Sequence, residues 1–196
     1  MRRGPGEAIG AGVVLAMVLA GCSKDAGTEP PARPESGTIF RFSRFTSAPL
    51  VSGGEVTLRS LRGKVVLFDL FGTWCLECRR SAPLLVSLHE RYRRKGFEIV
   101  GLAYEKTGDS AQGRDAVERF RQEFNIPYPL AIGPDVVWEE LREKADVPGV
   151  VPMLLVMDRQ GVVRDVFEGL PPGHEAILAD RVERLLAEPH VPLPGE

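Results

Sequence analysis

The sequence predicts an α/β fold, and two patterns carry that prediction. Two apolar runs of strand length, at residues 64–72 and 97–104, flank a segment with helical spacing at 75–95. Strand, helix and strand in this order form a βαβ unit with a right-handed crossover. Two further strand-like runs joined by a turn occupy residues 153–169, and an amphipathic helix follows at 174–188. The order is therefore βαβ, an insertion, and ββα.

The first 21 residues predict a lipoprotein signal peptide. Arg2 and Arg3 precede an uncharged run at 8–21, which is too short to span a bilayer comfortably. The run ends in LAGC (residues 19–22), which resembles the bacterial lipobox, where cleavage leaves the cysteine as a lipid-modified first residue. We therefore expect an exported protein, anchored to a membrane through Cys22 and facing the periplasm or extracytoplasmic space. The alternative is an ordinary signal peptide with a chance cysteine.

The segments after the signal peptide divide into a tether, a domain and a tail. Residues 22–37 begin with the lipidated cysteine and are rich in Pro, Ser, Gly and charge, which predicts a flexible tether. Residues 38–60 alternate apolar and polar side chains around a Ser-Gly-Gly turn at 52–54, which predicts a β-hairpin. We expect the folded domain to cover residues 38–188 and a short tail to cover 189–196.

The central elements follow from their apolar patterns. The run KVVLFDLFG (64–72) has one acid inside it, Asp69, and is typical of a buried central strand. The helix at 75–95 has apolar residues at helical spacing, and a basic end and Gly96 mark its C-terminus. The run FEIVGLAY (97–104) is a second buried strand.

The insertion occupies residues 105–145. Its first half is polar and then helical, and a short strand (128–132) and a second helix (135–145) complete it. The strands of the second hairpin are predicted at 153–158 and 162–169.

Composition excludes a nucleic-acid-binding protein and limits the cysteine chemistry. The net charge is −2, and the Lys and Arg residues are scattered along the chain. The chain has three cysteines. With Cys22 assigned to lipid, only Cys75 and Cys78 remain as thiols, and export places them where disulfides persist.

The Cys75 and Cys78 pair has three possible roles: redox dithiol, half of a metal site, or incidental core residues. Structural zinc needs four ligands, and His89, His174 and His190 have no matching spacing. A copper site needs fewer ligands and stays an alternative. Cys75 directly follows a buried strand and begins a helix, whose free N–H groups and dipole stabilise a thiolate. Cys78 lies one turn further on, which favours a redox dithiol.

Several residues around this pair match a known family. Trp74 precedes the first cysteine, and Pro83 follows the second by five residues. The segment LRGKVV (61–66), the Val151-Pro152 pair before the second hairpin, and Gly169 after the last strand also match. Over residues 38–188 the chain resembles thioredoxin-fold proteins, and more closely the exported, membrane-tethered disulfide reductases of the TlpA/ResA type.

This resemblance implies a thioredoxin fold with an N-terminal β-hairpin and a central helix and strand insertion. It implies a redox-active Cys75–Cys78 disulfide, with Cys75 as the attacking thiolate and Cys78 as the resolving thiol. Asp69 matches the buried aspartate of thioredoxin and is expected to be the general base for Cys78. Further expectations are protein disulfide substrates, an integral-membrane thiol transporter as electron donor, and no cofactor or metal.

The same resemblance implies that three residues bind the substrate. They are Trp74, Val151 and Pro152, with a cis bond before Pro152. Two departures from the family pattern stand beside these expectations. Leu76-Glu77 lies between the cysteines in place of a pair that contains proline, and Ser81 stands where ResA-like proteins often carry an acid.

Rival functions and the direction of the reaction stay open. A peroxiredoxin-like peroxidase needs a T-x-x-C context, which Thr73-Trp74-Cys75 breaks. A copper-binding assembly factor would use Cys75 and Cys78, with His174 as a candidate third ligand. Glu77 near Cys75, and the absence of histidine between the cysteines, favour a reductase over an oxidase. Apocytochrome c, a copper-site protein and misoxidised proteins in general are all possible substrates.

Overall fold

The computed structural model describes residues 40–170 and 173–189, apart from the side chain of His174. The predicted signal peptide, the lipidated Cys22, the tether and most of the tail therefore lie outside the described residues. No helix in the described ranges has the length and apolar character needed to cross a membrane. The strands and helices, in chain order, are β1 (Ser47–Pro49), β2 (Glu55–Thr57), β3 (Val65–Phe71), α1 (Leu76–Tyr92), β4 (Phe97–Ala103), α2 (Ser110–Glu123), β5 (Leu130–Ile132), α3 (Asp135–Ala145), β6 (Met153–Met157), β7 (Val163–Glu168) and α4 (His174–Ala187).

A five-stranded mixed sheet has the order β5-β4-β3-β6-β7. Strands β3, β4 and β5 are parallel, whereas β6 runs antiparallel to both of its neighbours, β3 and β7. This arrangement confirms the predicted βαβ unit, the insertion and the final ββα unit. Strands β1 and β2 form the predicted hairpin as a separate two-stranded sheet.

Strand β3 occupies the middle of the sheet and is buried along its whole length. Because side chains alternate along a strand, its residues contribute to two cores. One core contains Val65, Leu67 and Phe71 together with buried residues of α1, α2 and α4. The other contains the intervening apolar residues of β3, buried residues of α3 and the segment that starts at Phe40. The central strand therefore delivers its C-terminal end, and the cysteines after it, to a fixed position.

Helix α1 ends where the sequence predicts. After Tyr92 the chain forms one 3₁₀ turn over Arg93–Lys95. Gly96 then adopts a left-handed conformation with φ of 88°, which lets the chain reverse into β4 without steric cost. Pro83 lies inside this helix, and its missing N–H removes one helical hydrogen bond without ending the helix.

One contact that orders the N-terminal segment was not predicted from the sequence. Glu140 on α3 is fully buried, and its carboxylate accepts hydrogen bonds of 2.7–2.8 Å from the backbone N–H groups of Ser43, Arg44 and Phe45. Lys144 donates a further bond of 2.6 Å. Burial alone would raise the pKa of Glu140, but these hydrogen bonds outweigh it and lower the pKa to about 2. The insertion therefore holds the entry segment of the domain through a buried carboxylate.

Candidate active site

Cys75 and Cys78 form a disulfide at the N-terminus of α1, with their Cα atoms 5.3 Å apart. Cys75 is the N-cap residue, and its Sγ accepts a 3.2 Å hydrogen bond from the backbone N–H of Cys78. This is a donor that would otherwise lack a partner in the first helical turn. In the reduced protein the same N–H and the helix dipole would stabilise a thiolate on Cys75.

Both cysteines are largely enclosed by the fold. Cys75 is 7% exposed and Cys78 is 3% exposed. Surrounding residues therefore shield both side chains. A substrate disulfide can therefore reach Cys75 only through the small part of this residue that is exposed to solvent.

Asp69 lies on β3 and is 6% exposed. It is two residues from both Leu67 and Phe71, so its side chain points to the same face of the sheet as theirs, which packs against α1 and Cys78. Its Oδ1 atom is buried and has no hydrogen-bond partner among the described residues. Burial raises the pKa of Asp69 from 3.8 to about 7, because the charged form loses its hydration. The predicted buried acid with a raised pKa is confirmed, and its catalytic role stays a proposal.

The bond between Val151 and Pro152 is cis, as predicted. The carbonyl oxygen of Val151 lies 3.8 Å from Sγ of Cys75, so this segment borders the disulfide. Within the part of the chain that the structure describes, no backbone group hydrogen-bonds to the N–H or C=O of Val151. Pro152 accepts a 2.8 Å bond from the N–H of Gly169, which connects the segment to the end of β7. An unpaired backbone edge therefore lies beside the reactive sulfur.

Trp74 is fixed against the loop and is 46% exposed. Its Nε1 atom donates a 3.0 Å hydrogen bond to the carbonyl oxygen of Tyr104. A Cβ atom on Gly72 would lie 2.5 Å from that Nε1, so any other residue at position 72 would clash with the indole ring. Lys106 places its Nζ 3.6 Å from the ring centroid, within range of a cation–π interaction. Trp74 is thus a rigid aromatic surface beside Cys75.

Two exposed apolar side chains join Trp74 around the disulfide. Leu76, between the cysteines, is 61% exposed, and Val150, just before the cis bond, is 53% exposed. These residues come from the α1 N-terminus and the β6 entry loop, which the fold brings to the same end of the sheet. Exposed apolar side chains grouped around a reactive centre are typical of a protein-binding surface.

Glu77 does not act as the isolated charge that the sequence analysis took it for. Its carboxylate is exposed and forms a 2.6 Å ion pair with Arg80, one turn along α1. Both side chains are exposed, so solvent as well as the guanidinium screens the field of Glu77 at Cys75. The argument that the negative charge of Glu77 makes the Cys75–Cys78 pair a reductant is therefore weakened.

Two site residues were missed from the sequence, and both bind Thr73 in the loop before Cys75. Glu105 accepts hydrogen bonds from the N–H and the hydroxyl of Thr73 at 2.8 and 2.7 Å. Arg79 donates to its carbonyl oxygen at 3.4 Å. A signal for Glu105 existed, since it follows the second parallel strand at the sheet edge where functional side chains gather. Nothing in the local sequence indicates that Arg79, and not its neighbour Arg80, binds Thr73.

An open cleft of about 470 Å³ lies next to Trp74. Its other walls come from the loop after β4 and from α2, including Glu105, Lys106 and Arg119. The insertion therefore shapes the surface on one side of the active site. Among the described residues, no cluster of three or more His, Cys, Asp or Glu side chains could hold a metal ion.

Comparisons with known proteins agree with this geometry. The chain is 28% identical over 119 residues to the thiol-disulfide oxidoreductase ResA of Bacillus thuringiensis subsp. konkukian, a match that covers 61% of this chain and 63% of that protein. It therefore spans less than two thirds of this relative's length. It is 30% identical over 148 residues to protein DipZ of Mycobacterium bovis, covering 71% of this chain and 19% of that protein. The resemblance to ResA that the sequence indicated is confirmed.

A solved structure and a family model complete the comparison. The crystal structure of a thiol:disulfide interchange protein of the thioredoxin family from Chlorobium tepidum TLS superimposes with a TM-score of 0.59 at 24% identity, over 74% of this chain and 99% of that one. That likeness confirms the thioredoxin fold. Residues 42–166 match the model of the AhpC/TSA family, which is well over half of the chain. The protein is therefore a thioredoxin-fold member of the AhpC/TSA family.

Proposed function

We propose that this protein is an exported, lipid-anchored thiol–disulfide oxidoreductase that reduces disulfides in other proteins. In the first step, the Cys75 thiolate attacks one sulfur of a substrate disulfide. The substrate S–S bond breaks, a mixed disulfide forms on Cys75, and the departing substrate thiolate takes up a proton.

The second step resolves that mixed disulfide. Cys78 gives its proton to Asp69, directly or through one water, and attacks Sγ of Cys75. The substrate leaves with both sulfurs reduced, having gained two electrons, and the enzyme is left with the Cys75–Cys78 disulfide seen in the structure. Asp69 suits this role because its raised pKa of about 7 lets it accept a proton near neutral pH.

The observation that carries the proposal is the position of the disulfide. It lies at a helix N-terminus, beside the unpaired backbone of Val151 and between exposed apolar side chains. An extended substrate segment could add its own backbone to Val151, with Pro152 and Trp74 on either side, as in β-strand addition. This arrangement accounts for protein substrates better than for a small molecule.

Location and electron supply complete the proposal. The lipobox-like segment that ends in Cys22 supports export and lipid anchoring, and lipobox cysteines carry more than one acyl chain, which gives a stable anchor. Outside the cytoplasm the surroundings are oxidising, so electrons must be supplied across the membrane. We infer an integral-membrane thiol-transporting donor, which the resemblance to the TlpA/ResA type implies and with which the similarity to DipZ is compatible.

Reduction of insulin disulfides tests the proposal. The purified protein, recycled by dithiothreitol, should accelerate insulin precipitation, and Cys75→Ser should abolish the acceleration. Parallel assays with hydrogen peroxide and with Cu(I) address the rival functions. Peroxide turnover without insulin reduction would indicate a peroxidase, and tight copper binding by the reduced pair without insulin reduction would indicate an assembly factor.

A further inference from the structure

Thr73 has three polar groups, and side chains from outside its loop bind all of them. The N–H and the hydroxyl donate to the two carboxylate oxygens of Glu105, at 2.8 and 2.7 Å. The carbonyl oxygen accepts from Nη1 of Arg79 at 3.4 Å. Thr73 lies two residues before Cys75, so these contacts fix the chain just before the attacking sulfur.

Arg79 is itself held in place by α2. Its Nη2 atom forms an ion pair with Glu123, and its guanidinium lies over two aromatic rings, with centroids 5.2 Å (Phe124) and 5.8 Å (Phe120) away. Phe120 also stacks on Phe71, the last residue of β3, at 5.1 Å. A planar guanidinium suits such a site because it can stack and donate in several directions together. Arg79 therefore has a defined position although its side chain is 35% exposed.

Arg79 also contacts the chain on the other side of the reactive sulfur. Its backbone N–H donates a 3.1 Å hydrogen bond to the carbonyl oxygen of Cys75, within the first turn of α1. Side chain and backbone of one residue thus hold both Thr73 and Cys75. The positive charge lies at the helix end that also presents the Cys78 N–H to Sγ of Cys75.

We propose that Arg79 is a positioning residue that couples α2 of the insertion to the active-site loop and sets the reactivity of Cys75. The inference rests on the proposed function, because it concerns the same sulfur. By fixing the Thr73 carbonyl, Arg79 keeps Cys75 where the helix N–H groups reach its Sγ, and its charge, partly offset by Glu123 and Glu105, adds a smaller preference for the thiolate. Loss of Arg79 leaves the Thr73 carbonyl without this donor and removes that charge.

The neighbouring Arg80 provides a matched control. It has the same charge on the same helix, but its side chain is 65% exposed and pairs with Glu77. Removal of either arginine changes the net charge equally. An effect of Arg79→Gln that Arg80→Gln does not reproduce therefore reports position and not overall charge.

The experiment is the pH dependence of iodoacetamide labelling of the reduced full-length protein, with peptide mapping to separate Cys75 from Cys78 and Cys22. We expect Arg79→Gln to move the midpoint of Cys75 labelling upward by roughly 0.5–1 pH unit. Below the midpoint, labelling should then slow roughly three- to tenfold. Arg80→Gln should leave the midpoint close to the wild-type value, because Arg80 and its partner Glu77 are both exposed and solvent screens them.

Arg79→Lys separates charge from geometry. A lysine keeps the charge, but its three N–H donors share one nitrogen, so it cannot reproduce the planar fork through which Nη1 and Nη2 of Arg79 reach Thr73 and Glu123. We expect Arg79→Lys to raise the midpoint of Cys75 labelling by less than Arg79→Gln does. If Arg79→Gln does not fold, the comparison of Arg79→Lys with Arg80→Lys tests the inference instead. Equal midpoints for the Arg79 and Arg80 variants would overturn the inference, whereas a wild type that fails to reduce insulin would overturn the proposed function instead.

Discussion

Replacing Asp69 by asparagine should stabilise the fold and slow one catalytic step. Asp69 is buried, its Oδ1 has no hydrogen-bond partner among the described residues, and its pKa is raised from 3.8 to about 7. Above the folded-state pKa the carboxylate is charged in both the folded and the unfolded chain, and the fold bears the full cost of burying that charge. Below about pH 3.8 it is neutral in both states, and the cost disappears.

The size of the effect follows from the pKa difference. Burial raises the pKa of Asp69 from 3.8 to about 7, which is about 3 units. This difference corresponds to roughly 4 kcal/mol of lost stability above pH 7. Asparagine removes that charge but introduces amide N–H groups, and leaving them unpaired costs roughly 1–3 kcal/mol. We therefore expect Asp69→Asn to raise the free energy of unfolding by roughly 1–3 kcal/mol near pH 8. The gain should shrink as the pH falls from about 7 to about 4.

Urea unfolding of the oxidised protein across this pH range measures the gain. Asp115→Asn, at an exposed position on α2, is the control and should show no comparable pH-dependent gain. Stopped-flow reduction of a disulfide substrate measures the two catalytic steps separately. In Asp69→Asn we expect the first attack by Cys75 to stay near the wild-type rate, and resolution of the mixed disulfide by Cys78 to slow by roughly 10²–10⁴-fold. Unchanged resolution together with no pH-dependent gain in stability would refute the reasoning.

Three further predictions concern the fold, the loop and the anchor. Glu140→Gln should lower the free energy of unfolding by roughly 2–4 kcal/mol, because it removes a buried charge that binds the backbone of residues 43–45. Urea unfolding measures this loss of stability relative to the wild type, and the loss should fade as the pH drops from 4.5 to about 2. Gly72→Ala should displace Trp74, since the added Cβ would lie 2.5 Å from Nε1, and insulin reduction should slow roughly tenfold or more without a comparable loss of stability. Cys22→Ser should move the protein from the membrane to the soluble fraction in cell fractionation while reductase activity in vitro is kept; an unchanged membrane fraction would contradict the lipid anchor.

The elements of the fold were predictable because each has a strong local pattern. The apolar run at 64–72 contains β3, and the helix predicted at 75–95 is α1 plus its final 3₁₀ turn. Asp69 could be singled out because one acid within an apolar strand stands out in the sequence. The Val151–Pro152 bond could be placed because the matching motifs fixed its position relative to the cysteines.

The contacts that orient the site could not be predicted, because they join residues far apart in sequence. Glu105 binds Thr73 across 32 residues, and Glu140 binds Phe45 across 95 residues. Such pairs depend on how the insertion packs, which local periodicity does not encode. Arg79 and Arg80 are adjacent and chemically identical, and only the direction that each takes from α1 separates them.

Covalent trapping of substrate proteins tests the central claim most directly. Cys78→Ser keeps the attacking thiolate but removes the thiol that resolves the mixed disulfide. Expressed in cells and analysed by non-reducing gels and mass spectrometry, this variant should accumulate partners that are disulfide-bonded to Cys75 and released by dithiothreitol. Cys75→Ser, with Cys78 left alone, should accumulate few or none. Adducts attached to Cys78, or equal amounts on both variants, would contradict the assignment of Cys75 as the attacking residue.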